Sequence, residues 1–87
     1  MLRINRVIDT GTTTLIVSGR IRAEQLPDLR RSVEAEHARD LVLDLSEVSL
    51  VDADVVRFLL HCEMMGIRLA NCPAYVREWM AREKRPP

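Results

Sequence analysis

The segment from Leu41 to Met65 narrows the choice of fold more than any other part of the chain. Leu41-Val42-Leu43-Asp44-Leu45 is a short run, apolar on both faces until Asp44, and predicts a central strand covered from two sides. A polar break at Ser46-Glu47 follows, and the chain climbs through Val48 and Leu50 to Asp52, whose short acceptor side chain suits a helix cap. Beyond it, Val55, Phe58, Leu59, Cys62 and Met65 recur at i, i+3, i+4, i+7 and i+10, which predicts a helix over 53–65 with one apolar stripe. Gly66 is placed to end that helix in a left-handed conformation. Where helices alternate with strands in this way the strands are expected to run parallel, joined by right-handed crossovers.

The flanking segments complete the order. Leu2, Ile4 and Ile8 fall on even positions with Arg3 and Asn5 between them, the period of a half-buried strand over 2–8. Asp9-Thr10-Gly11 supplies hairpin turn residues, and the β-branched stretch Thr12 to Ser18 forms a second strand ending near Gly19. From Ala23 the period changes to that of a helix over 24–38, with Leu26, Leu29 and Val33 as its stripe and Pro27 tolerable only in the first turn. Ile67 to Ala70 reads as a short fourth strand, and Pro73 starts a last helix with Val76, Trp79 and Met80 packed on one side. A single domain over 1–83 with a frayed tail at 84–87 accounts for the whole chain. A fold with so few helices leaves one sheet face or edge exposed, which allows a homodimer or a partner.

Composition removes several function classes. Thirteen Lys and Arg against thirteen Asp and Glu give no net charge, so nothing draws the protein as a whole to a phosphate backbone or an anionic membrane. Arg20 and Arg22 beside Arg30 and Arg31 form the densest basic region, yet no aromatic residues interleave with it, and it reads as a solvated face. No apolar run reaches the ~20 residues of a membrane span, and the N-terminus lacks a secretion signal, which makes the cytoplasm the expected compartment and direct membrane insertion unexpected.

Catalytic and metal motifs are missing as well. Gly11 and Gly19 are isolated turn residues outside any dinucleotide or P-loop pattern. Cys62 and Cys72 are too few for a disulfide framework, and Cys62 lies on an apolar stripe from which His61 points about 100° away, so no thiol or metal site is expected. His37, late in the first helix, suits a favourable partner of the helix dipole. Asp44, Asp52 and Asp54 could converge on a hard cation, but strand end, cap and dipole partner are the simpler roles. We therefore expect no enzyme, no cofactor and no bound metal.

The stretch Leu43-Asp44-Leu45-Ser46-Glu47-Val48-Ser49-Leu50-Val51-Asp52-Ala53-Asp54-Val55 resembles the signature of STAS domains, the anti-sigma-factor antagonist family. Its most specific part is Asp-Leu-Ser-x-Val followed by an apolar pair and an Asp at a helix start. In that family the motif continues as Asp, a phosphorylatable Ser, a Ser or Thr, then Gly and Leu; here Asp52 is followed by Ala53, Asp54, Val55 and Val56. The resemblance implies a small α/β domain of order β-β-α-β-α-β-α, with a mixed four-stranded sheet and helices packed on it. It also implies docking on an anti-sigma factor or related kinase-like regulator, broken when the helix start is phosphorylated.

Ala53 has no hydroxyl to modify, so the resemblance implies a site held permanently in the unphosphorylated state, with Asp54 adding one fixed charge. The expected docking surface comprises Ser49, Leu50, Asp52, Ala53, Asp54 and Val56, with Leu50 and Val56 supplying area and Asp54 orientation. STAS domains are also found bound to the ATPase of ABC-type lipid transport complexes, which gives the same surface an alternative, permanent partner. Nucleotide binding by the domain itself is allowed by the resemblance and supported by no local motif.

Overall fold

The computed structural model describes residues 2–36 and 40–84. The element order is strand β1 (Arg3–Asp9), strand β2 (Thr12–Ile21), a 3-10 turn (Ala23–Gln25), helix α1 (Leu26–Glu34), strand β3 (Asp40–Val51), helix α2 (Ala53–Met64), strand β4 (Arg68–Ala70) and helix α3 (Ala74–Lys84). The expected β-β-α-β-α-β-α order and mixed four-stranded sheet are therefore present. The strands lie in the order β1-β2-β3-β4, β1 antiparallel to β2 and the two remaining pairs parallel.

Turn chemistry sets the hairpin. Asp9 pairs with Thr12, so Thr10 and Gly11 are the two turn residues, and both have positive φ (40° and 84°). That is the twist a two-residue hairpin needs to match its strands. At the end of α2, Gly66 has φ 91°, its N–H donates to the Glu63 carbonyl, and the Ile67 N–H donates to the Cys62 carbonyl, both at 3.0 Å. These two bonds close the helix in the left-handed termination expected of Gly66.

Strand β3 departs most from expectation. It does not stop at Leu45, and Ser46 to Leu50 is strand rather than turn. The reason is two bulges against β2: Ile16 and Ser18 pair with Asp44 and Glu47, and Gly19 and Arg20 pair with Val48 and Leu50. Each inserts one extra residue into β3, so a 12-residue strand pairs with a 10-residue one. Gly19, expected to end β2, lies inside it with φ 93°, beside the second bulge. The first helix is also shorter than the expected 24–38. It begins as a 3-10 turn and its α-helical part runs only from Leu26 to Glu34, with Pro27 in the first turn. His37 and the residues of the expected tail at 85–87 lie outside the described residues, while Lys84 closes α3.

One core holds the domain. Leu15, Val17, Leu43 and Leu45 from the sheet, Leu29 and Val33 from α1, Val55, Val56, Phe58, Leu59 and Cys62 from α2, and Val76 and Met80 from α3 form a single buried cluster, with Trp79 packed at its border. The expected two-sided cover of β3 is not found. Val42, whose register partners are Thr14 and Arg68, is buried yet lies outside that cluster. On the same face Val7 of β1 is 47% exposed. The helices thus cover one face of the sheet, and the other carries Val7, Thr14, Ile16 and Val42 among polar neighbours.

Candidate functional site

The end of β3 and the start of α2 form a tip that carries the expected site residues, Ser49 and Leu50 on the strand side and Asp52, Ala53, Asp54 and Val56 on the helix side. Asp52 has extended backbone (φ −115°, ψ −179°) and its carboxylate does two jobs. Oδ1 accepts from the Val55 N–H at 3.2 Å, capping α2, while Oδ2 accepts from the Ala23 N–H at 2.7 Å. One side chain thereby satisfies an orphan donor at the start of α2 and pins the segment that leaves β2. Asp52 is consequently half-buried and engaged within the fold.

Ala53 follows as the first residue of α2, half-buried, and residues 52–56 carry no hydroxyl. Asp54 stands in the first turn with its side chain 57% exposed, where the helix dipole favours a negative charge, and it accepts from Arg57 Nη1 at 3.2 Å. Ser49, the residue that the second bulge leaves without a partner in β2, is exposed, and Leu50 beside it is 42% exposed. Val56 requires a correction. Its side chain is fully buried in the core, because α2 is packed against the sheet and against α3, and the apolar arc it needs is wider than a single stripe. The exposed area expected from Val56 is therefore not part of the tip. The last helix does not cover the tip either: α3 meets α2 one turn further on, where Arg57 Nε donates to Glu83 Oε1 at 3.1 Å.

The structure adds neighbours that sequence reasoning set aside. Arg20 is the register partner of Leu50, so an exposed guanidinium borders the tip, and among the described residues it makes no ion pair. Its place depends on the bulged parallel register, which no local pattern announces. From Asp54 an open cleft of about 410 Å³ runs between α1 and α2, lined by Leu26, Arg30, Arg57, Phe58 and His61. Arg30, grouped by sequence with a solvated face, lies 5.2 Å over the Phe58 ring. That is cation–π distance.

The carboxylates do not gather. Asp44 sits inside β3 rather than at its end, accepts from the Ser46 N–H at 2.9 Å and from Asn71 Nδ2 at 3.2 Å, and the Ser46 bond above all holds its carboxyl below the ordinary value. Asp52 and Asp54 are engaged as described. Among the described residues no group of three or more His, Cys, Asp or Glu side chains could hold a metal ion. Burial pushes the Cys62 thiol up to about 11, against a smaller opposing effect of Arg30, so little of it is thiolate near neutrality. Burial raises the Cys72 thiol as well. His61 is exposed while Cys62 is buried, so the two side chains face different ways.

The Asp-Leu-Ser-x-Val segment lies within β3, and Asp52 at the end of that strand caps the helix that Ala53 begins. The family model described as "Mlab, STAS domain" matches residues 4–82. The chain belongs to the STAS domain family. No curated protein matches it. Members of this family generally act through protein–protein contact and are non-catalytic. No described helix of this STAS domain is long and apolar enough to cross a membrane.

Proposed function

We propose that this STAS domain is a non-catalytic cytoplasmic docking module that holds a regulatory partner constitutively through the tip of α2. The observation that carries the reading is Ala53: the first residue of the capped helix, where the family places its phosphoacceptor, has no hydroxyl, while the surface around it stays accessible. Ser49, Leu50 and Asp54 supply the contact and Arg20 borders it. Apolar area at Leu50 contributes affinity, and the opposed charges of Arg20 and Asp54 set the orientation of the visitor. Asp52 and Ala53 shape the tip from within. A kinase-like anti-sigma factor, or a regulator built on that plan, is the partner class the resemblance implies.

A second reading has its own support. The matching family model carries the Mlab description rather than that of anti-sigma-factor antagonists. Under it the same tip would sit permanently on the ATPase of an ABC-type lipid transport complex. Capture of interacting proteins from the native cell separates the two: recovery of a sigma-regulatory kinase supports the first, recovery of an ABC ATPase the second. A chain that captures neither would contradict both.

A further inference from the structure

We infer that β1 is a self-pairing edge, on which a second copy of this chain docks antiparallel about a two-fold axis through Arg6. Strand β1 is the outer strand of the sheet, pairs with β2 over all seven residues without a register shift, and holds no proline. All its residues but Ile4 are exposed, Val7 by 47% and Ile8 by 60%. Edges that stay single are shortened, bulged, interrupted by proline or guarded by charge; β1 has none of the first three, and its guarding charges Arg3 and Asp9 are of opposite sign at its two ends. The opposite edge, β4, has three residues.

Hydrogen-bonding phase and charge both fix the register. In a two-residue hairpin the residues flanking the turn exchange both of their hydrogen bonds, so Asp9, Asn5 and the other odd positions of β1 face β2. Ile4, Arg6 and Ile8 then direct their N–H and C=O groups away from the sheet. Antiparallel pairing centred on Arg6 would match these free groups to one another in about six ladder bonds. The same register sets Arg3 opposite Asp9 of the second copy at both ends, and Ile4 opposite Ile8.

Neither Arg3 nor Asp9 has an ion-pair partner among the described residues. Arg6 meets its own copy at the axis, but Glu36 neutralises each guanidinium at 2.8 Å from a carboxylate only 10% exposed. Shifting the register by two residues either way shortens the ladder and removes both Arg3–Asp9 pairs. The self-complementary pattern therefore selects a second copy of this chain, and it does so independently of the α2 tip.

Sedimentation over a concentration series tests the proposal on the full chain. The wild type should pass from monomer to dimer, and Asp9→Arg or Arg3→Asp, each placing like charges opposite one another twice, should weaken dimerisation on the order of tenfold or more. The double reversal Arg3→Asp with Asp9→Arg should restore it, a result that a folding defect in either single variant cannot mimic. Amide exchange at Ile4, Arg6 and Ile8 should slow as the dimer fills. A monomer at every concentration, a dimer indifferent to the charge changes, or fast exchange at those three amides in the dimer would each overturn the inference.

Discussion

Asp52→Ala should destabilise the domain by about 1–3 kcal/mol, read as a lower denaturant midpoint at unchanged slope. The size follows from the two donors that the carboxylate serves. Loss of a helix cap alone costs about 0.5–2 kcal/mol, and the α2 cap at Val55 would go. The 2.7 Å bond to Ala23 at the exit of β2 would go as well, and because that N–H is exposed and water takes the acceptor's place, the further loss is about 0.5–1.5 kcal/mol. Asp52→Asn keeps one oxygen acceptor and offers an NH2 group where the other donor points, so its loss should be intermediate. The two variants also separate cap from charge: if the negative charge alone mattered, Asn and Ala would behave alike. A change below about 0.5 kcal/mol for Asp52→Ala would mean that neither bond matters to the fold.

Asp54→Arg should leave the fold nearly intact and reduce partner binding at least about tenfold, or about 1.4 kcal/mol, measured by calorimetry with the captured partner. Asp54 is largely exposed, and its loss from the first turn of α2 costs the helix no more than about 1 kcal/mol of dipole interaction and ion pairing. The reversal acts on the partner instead. An acid that orients the visitor becomes a base beside Arg57, so that the first turn of α2 presents two like charges where it held an ion pair. Like charges across an interface cost far more than the missing attraction. Binding equal to the wild type would remove Asp54 from the interface.

The elements that obey one local rule were readable in the sequence, and those that depend on a neighbouring strand were not. The α2 cap, the Gly66 termination and the Thr10-Gly11 hairpin follow from short-range chemistry at Asp52, Gly66 and Gly11, and each stands where its residues point. The second half of β3 broke the rule. Its buried residues Leu45, Val48 and Val51 are three apart, because each bulge adds a residue and destroys the period of two, so the sequence looks like a polar turn.

The same bulges carry Leu50 to the side of Arg20, an adjacency that depends on the partner strand and not on any local pattern. Val56 failed for another reason. It lies one residue past Val55, and the packing of α2 against both the sheet and α3 makes that position interior as well. Of the expected surface, Ser49, Leu50 and Asp54 face outward, Ala53 is half-buried, Asp52 is spent on the fold, and Val56 is core.

The most direct measurement is an amide-exchange footprint of the captured partner on this domain. Docking at the tip predicts slowed exchange over residues 49–54 and at Arg20, with α3 and β4 unchanged. Protection confined to α3 or β4, with the start of α2 exchanging as in the free protein, would contradict it.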